Sequence, residues 1–138
     1  MTETLRLSVE GQGLHEITGV IRNWLARQTV SSGLLTLFLR HTSASLLIQE
    51  NADPSVRRDL ECWFNRLVPE GDDLYTHTLE GPDDMPAHIK ASLLATSLAV
   101  PVLKKELMLG TWQGIFLWEH RYFRGHREVV LHLQADET

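Results

Sequence analysis

A single cysteine, Cys62, leaves the chain unable to form an internal disulfide or a cysteine-based zinc site. Its place is expected on the apolar side of a helix, where a buried thiol is inert. Basic charge is not in excess: 13 lysines and arginines stand against 18 acidic residues, a formal net charge of −5. That balance excludes broad, non-specific binding of nucleic acid, which needs a basic face. No apolar run approaches a membrane span, and the N-terminus lacks the apolar core of a secretory signal. The expectation is therefore a cytoplasmic protein with neither membrane nor nucleic acid as a partner. There is no HExxH, no P-loop and no Rossmann glycine pattern, so no organic cofactor is expected. No repeat, low-complexity tract or long linker divides the 138 residues, and residues 1–138 read as a single domain.

What is present is a mixed pattern of strands and helices. Thr4 to Val9 alternates Leu5, Leu7 and Val9 with polar residues and predicts a first strand. From His15 to Gln28, residues Ile17, Val20, Ile21, Trp24 and Leu25 repeat at helical spacing. Leu34 to Arg40 predicts the next strand, and Leu46 and Ile48 a short one after it. Asp53-Pro54 marks a helix start, with Asp as N-cap and Pro at the first helical position, running through Val56, Leu60, Trp63, Phe64 and Leu67 to Pro69. A Gly-, Asp- and Pro-rich loop spans Glu70 to Asp84. A third helix is expected from about Pro86, turning Ile89, Leu93 and Leu94 inward, followed by strands near Val100–Met108, Gly114–Arg121 and Arg127–Leu133. Strands clustered at both ends argue for an α+β fold rather than a doubly wound sheet.

Three polar phrases interrupt this apolar framework. In the first, Leu35, Leu37 and Leu39 share one strand face and His41 is next on it, followed by Thr42 and Ser43. His41 alone suits a functional role, as metal ligand, general base or phosphate contact, about as well as that of a half-buried histidine with a backbone partner; its place at the end of an aliphatic row favours function. The second phrase, THTLEGPDDMPAHIKAS, gathers His77, Glu80, Asp83, Asp84, His88 and Lys90. With a helix start near Pro86, His88 and Lys90 fall near its first turn, where a histidine tends to stay neutral and a lysine is unfavourable unless it meets an anion. Taken singly, Asp83 and Asp84 read as a capping pair and Lys90 as a solvated side chain. In the third phrase, Ile115 and Leu117 give way on one face to Glu119 and Arg121, while Trp118 and His120 take the other. Arg121, Arg124 and Arg127, with His126, offer a local cluster able to hold a small anion.

The chain resembles the YjbQ-like family, whose members are described as secondary thiamine-phosphate synthases. The resemblance rests on HTSASLLIQENADPSVRRDL, LVPEGDD, Tyr75-x-His77, GPDDMPAHIKASLL, LGTWQGIFLWEHR and Arg127-x-Val129-Val130, in that order over nearly the whole chain. It implies an α+β sandwich of two sheets with about three helices, assembled as a homotrimer. It also implies a pocket gathering His41, His88 and Glu119, with His77, Ser43, Asn51, Asp84, Lys90 and Arg121 as further candidates. Within it, His41, His77 and His88 are expected to bind a divalent metal, magnesium or zinc. Glu119, His41 and Arg121 are expected in catalysis, and Ser43, Asn51, Asp84 and Lys90 in substrate binding. Where relatives carry a small residue before EHR and glycines after it, this chain has Trp118 and Tyr122-Phe123-Arg124.

The reaction so implied joins a hydroxymethylpyrimidine diphosphate to a thiazole phosphate with release of pyrophosphate. Lys90 and Arg121 would hold phosphates, and Glu119 would steady the developing cation. Two other readings use the same residues: a metal-dependent hydrolase of a phosphorylated metabolite, and a non-catalytic trimer that binds a small anion.

Overall fold

The computed structural model describes residues 1–137. In chain order its elements are β1 (Thr2–Glu10), β2 (Gly13–Glu16), α1 (Thr18–Ala26), β3 (Gly33–Leu39), β4 (Ala44–Glu50), α2 (Pro54–Leu67), α3 (Asp84–Leu93), β5 (Ser97–Leu103), β6 (Glu106–Leu107), β7 (Gln113–Glu119) and β8 (Arg124–Ala135). Five strands form one antiparallel sheet, β1-β8-β3-β5-β6, and three form another, β2-β7-β4. The α+β class, the two sheets and the three helices are as expected.

The two sheets enclose the main core. Leu7 and Val9 of β1, Leu35, Leu37 and Leu39 of β3, and Val129, Leu131 and Leu133 of β8 face Leu46, Ile115 and Leu117 of the smaller sheet, with α1 adding Ile21, Trp24 and Leu25. A second cluster lies on the other side of the smaller sheet, where α2 sets Phe64 against Leu14, Phe116 and Trp118. Strand β7 is thus buried on both faces, which is why it reads as an almost unbroken apolar run rather than an alternating one. Asp53 does cap α2: its carboxylate accepts the Ser55 N–H at 2.9 Å, with Pro54 at the first position. The rest of α2 departs from the expected inward face, because only Phe64 is buried while Trp63 and Leu67 are about half exposed. Cys62 is exposed as well, not packed inward.

Helix α3 begins at Asp84 rather than at Pro86, and that shift changes its chemistry. Lys90 falls in the last turn, where a cation suits the helix dipole, and His88 falls mid-helix. The inward face carries Asp84, Ala87 and Lys90; Leu93 is 60% exposed.

The expected strand Val100–Met108 is split into β5 and β6 by a two-residue turn at Lys104 and Lys105, whose φ angles are 51° and 63°. Both values are left-handed, the arrangement of a hairpin turn that ordinarily selects Asn-Gly. Lysine signals no turn, so the split leaves no trace in the sequence. Lys104→Asn with Lys105→Gly relieves two left-handed side chains. It is expected to raise stability by about 1 kcal/mol, read as a higher urea midpoint at unchanged slope. An unchanged or lower midpoint would show that the lysines are not strained there.

Candidate metal centre and its surroundings

The site is built where α3, the 70–83 loop and the end of β7 meet. Asp84 and His88 lie one helical turn apart on α3, so both side chains leave the same face. His77 reaches them from the loop: its Nε2 is 2.6 Å from Asp84 Oδ2, and His88 Nε2 is 3.3 Å from the same oxygen. The three ligand atoms lie within 4.8 Å of one another. Asp84 is buried, while the two histidines are half open to solvent. Burial alone would raise the Asp84 pKa. The His77 hydrogen bond and the Arg121 guanidinium outweigh it and hold the carboxyl below its usual range, so it stays charged.

His88 is oriented from behind. Its Nδ1 lies 3.2 Å from the Thr42 carbonyl, which can only accept, so the ring proton sits on Nδ1. In the neutral ring Nε2 then carries a lone pair, aimed at a carboxylate oxygen. With a cation between them these two atoms become ligands, and a carbonyl that turns the ring from behind is the usual outer partner of a metal-bound histidine. Two imidazoles and one carboxylate, with room for further ligands, fit zinc or a related divalent ion better than magnesium, which prefers oxygen.

Arg121 braces this cluster. Its Nε and Nη2 donate to Asp83 at 3.3 Å each, its Nη2 to the Glu80 carbonyl, and its Nη1 lies 3.3 Å from Asp84 Oδ1. Asp83 also accepts the Tyr122 N–H at 2.9 Å. Burial would raise its pKa too, but the hydrogen bonds from Arg121 and Tyr122 keep it low. The side-chain partner of Arg121 is therefore the Asp83–Asp84 pair rather than Glu119, which receives only its backbone N–H, at 3.1 Å.

Glu119 continues the inward row of Ile115 and Leu117 and is fully buried. Its partner is Arg127, which continues the inward row of β8 in the opposite sheet. Nε donates to Oε1 at 2.6 Å and Nη2 to Oε2 at 2.8 Å, a bidentate pair that ties the two sheets together at one end. Arg127 also donates to Ser43 Oγ at 3.2 Å, and the Phe123 ring centroid lies 4.2 Å from its guanidinium carbon. In the sequence Arg127 stands in a local arginine cluster and in the Arg127-x-Val129-Val130 phrase, with no partner assigned. The stronger signal was its register, because it takes the inward position before Val129, Leu131 and Leu133.

His41 does end the aliphatic row of β3, but it is not part of the metal cluster. The Glu128 N–H donates to its Nε2 at 2.8 Å, and Arg127 Nη1 lies 3.4 Å from its Nδ1. With one nitrogen filled and the other against a guanidinium, neither is open to an ion. Burial and then Arg127 lower its pKa, which favours the neutral ring. Asn51 also stands apart. It follows β4 at the end opposite Ala44, the residue that pairs with Glu119, about 20 Å along the strand. There its amide donates to Glu16 at 2.9 Å.

Ser43, Asp83, Arg121, Tyr122, Phe123 and Arg127 line a cavity of about 380 Å³ beside the metal cluster. Lys90, buried on α3, borders a different cavity and is held below its usual pKa by burial. His120 is also buried; its Nε2 meets Ser45 Oγ at 2.9 Å, its Nδ1 has no hydrogen-bond partner among the described residues, and burial pushes its pKa down to about 3. Trp118 is buried and packs on Phe64 with ring centroids 5.0 Å apart. Trp112, in contrast, is 62% exposed.

Residues 3–136 match the family described as UPF0047 protein YjbQ-like. The chain belongs to this family. It is 50% identical over 135 residues to UPF0047 protein YjbQ of Escherichia coli O157:H7, covering 97% of each chain. It is 48% identical over 134 residues to UPF0047 protein sll1880 of Synechocystis, covering 97% of this chain and 91% of that one. Among solved structures it resembles the conserved hypothetical protein TT1486 of Thermus thermophilus, with a TM-score of 0.85, 33% identity and coverage of 96% and 99% of the two chains. The Thermus thermophilus structure carries the same fold, and none of the three names states a reaction.

Proposed function

We propose that this YjbQ-like protein is a metal-dependent enzyme acting on a small phosphorylated metabolite, with the ion held by His77, Asp84 and His88. The convergence of the three ligand atoms within 4.8 Å carries the reading, with the Thr42 carbonyl turning His88 Nε2 toward Asp84. A divalent ion there supplies Lewis-acid chemistry toward a phosphoryl oxygen. The chain's own groups do the rest. Arg121 fixes the direction of the Asp84 carboxylate. Ser43, Arg121 and Arg127 present donors to the neighbouring cavity. Around it, the two arginines are outweighed by Asp83, Asp84 and Glu119, a balance of −1 that a divalent ion turns to +1. A divalent ion thus favours phosphate binding at this cavity.

Hydrolysis of a phosphate ester or anhydride is the reaction this arrangement supports best. Glu119, the residue suited to steadying a cationic pyrimidine centre, is sealed against Arg127 away from any reactant. The pyrophosphate-releasing transfer that makes thiamine phosphate is the second reading. It is favoured by two neighbouring cavities that share Asp83 and Tyr122 and so offer room for two reactants. A homotrimer is part of the proposal, supported by the uncovered outer face of the five-stranded sheet, where Leu34, Phe38 and Leu103 are each about half exposed. So is a cytoplasmic place; no helix among the described residues is long and apolar enough to cross a membrane.

Chelator-stripped protein titrated with zinc is expected to take one ion per chain. Asp84→Asn should weaken binding by on the order of 100-fold, as it removes a ligand rather than an outer partner. Equal affinity in the two proteins would end the metal reading. With zinc restored, phosphate release from monoesters and diphosphates identifies a hydrolase, whereas thiamine phosphate detected by mass spectrometry identifies the transferase.

A further inference from the structure

The chain has three lysines, and the fold treats them differently. Lys104 and Lys105 are exposed at their turn, whereas Lys90 is only 3% exposed. A buried ammonium is costly unless its charge and its N–H groups are met. Lys90 Nζ donates to Asn65 Oδ1 and lies 5.6 Å from the Phe64 ring centroid. Among the described residues no carboxylate oxygen comes within 4.0 Å of it. An ammonium has three donors, so two are left for whatever fills the space beside it.

That space is a cavity of about 230 Å³, walled by Val68, Pro69 and Pro86 on its apolar side. Its other polar groups are already committed. Asp83 is held by Arg121 and by the Tyr122 N–H, and Glu70 accepts the Tyr122 hydroxyl. Gln12 donates to the His120 carbonyl and accepts from the Asn65 amide, which fixes the Asn65 oxygen toward Lys90. Asp83 and Glu70 set two carboxylates on this wall against one ammonium, so it is the directed free donors of Lys90, not net charge, that the wall has left to offer a ligand.

We infer that the Lys90 cavity is a subsite for a small oxyanion, a phosphate or a carboxylate, distinct from the His77–Asp84–His88 cluster. It has room for one such group and not for a nucleotide. The oxyanion is either a free ion or the far end of a metabolite whose other end lies at the metal; Asp83 and Tyr122 form the wall between the two cavities. The subsite itself does not depend on the metal reading.

Inorganic phosphate is the probe, titrated into metal-free protein at constant ionic strength. Binding is followed by calorimetry and by the NMR resonances of the lysine Cε groups. A single phosphate per chain is expected, moving the Lys90 resonance and leaving those of Lys104 and Lys105 in place. Asn65→Asp keeps Lys90 but sets a carboxylate of the protein against it, and should weaken phosphate binding at least tenfold. Lys90→Met should do the same. Because the phosphate titration is run without metal and the zinc titration without phosphate, failure of the metal reading and failure of this one are told apart. The inference is overturned if Lys104 and Lys105 respond as strongly as Lys90, or if Asn65→Asp and Lys90→Met both bind phosphate undiminished. Zinc-loaded protein with pyrophosphate separates the two sources. Tighter binding than phosphate, lost in Asp84→Asn, marks the far end of one ligand; equal binding marks a free ion.

Discussion

Arg127→Met is expected to destabilise the fold by roughly 3–5 kcal/mol, the range for removing one partner of a buried ion pair. Glu119 has no exposed surface, and both its oxygens receive Arg127 N–H groups, at 2.6 and 2.8 Å. Without the guanidinium, a carboxylate is left between two sheets with only the Arg121 N–H for company. It must take up a proton or draw in water, and either is costly. Lysine is no substitute, since an ammonium cannot reproduce the two parallel bonds of the guanidinium fork. The companion double variant, Arg127→Met with Glu119→Gln, removes the stranded charge and should recover much of the loss. Urea unfolding of the native protein, Arg127→Met and the double variant decides it. A loss below about 1 kcal/mol, or a double variant no better than the single one, would show that the pair is not what closes this end of the sandwich.

Acid should weaken the protein well before its carboxylates titrate, and His120 is the reason. The ordinary pKa of 6.5 is pushed down to about 3 by burial, with the Lys90 charge adding to it. The unfolded chain therefore takes up this proton first as pH falls. The contribution of the neutral ring is complete above pH 6.5 and is lost progressively toward pH 3. At 1.36 kcal/mol per pH unit, the loss at pH 4 is roughly 3 kcal/mol. The groups facing the ring are Ser45 from β4, Phe64 from α2, Trp118 from β7 and Lys90 from α3, and none of them carries a negative charge to offset a second positive one. His120→Gln keeps a partner for Ser45 but does not titrate. Unfolding midpoints of chelated protein between pH 7 and pH 4 should fall steeply for the native chain and much less for this variant. Parallel curves would place the acid sensitivity elsewhere.

Much of the framework was legible because burial imposes a period. The alternating leucines of β3 and the hydrophobic run of β7 mark one half-buried and one fully buried strand. The same reasoning failed where the inward face is polar by purpose. On α3 the apolar pattern points Leu93 into solvent, and the residues that turn inward are Asp84 and Lys90. His77, Asp84 and His88 were each visible as candidates. Their union depends on a loop folding back by seven residues and on a carbonyl at Thr42, and neither leaves a trace in composition. His41 shows the opposite limit. Its position at the end of an aliphatic row was read correctly, yet the strand beside it supplied the N–H that occupies its Nε2.

The distribution of primary amines has a practical consequence. Lys104 and Lys105 are exposed side by side, and Lys105 donates its backbone N–H to Ser31, just before β3 begins. That place lies at the end of the five-stranded sheet away from His41, Glu119 and Arg127, while the third lysine is shielded. Amine-directed coupling to a bead, a sensor chip or a dye would thus grip the molecule by one pole and leave the opposite pole facing the solution. The fold comes with its own handle, and attachment through it orients every copy the same way.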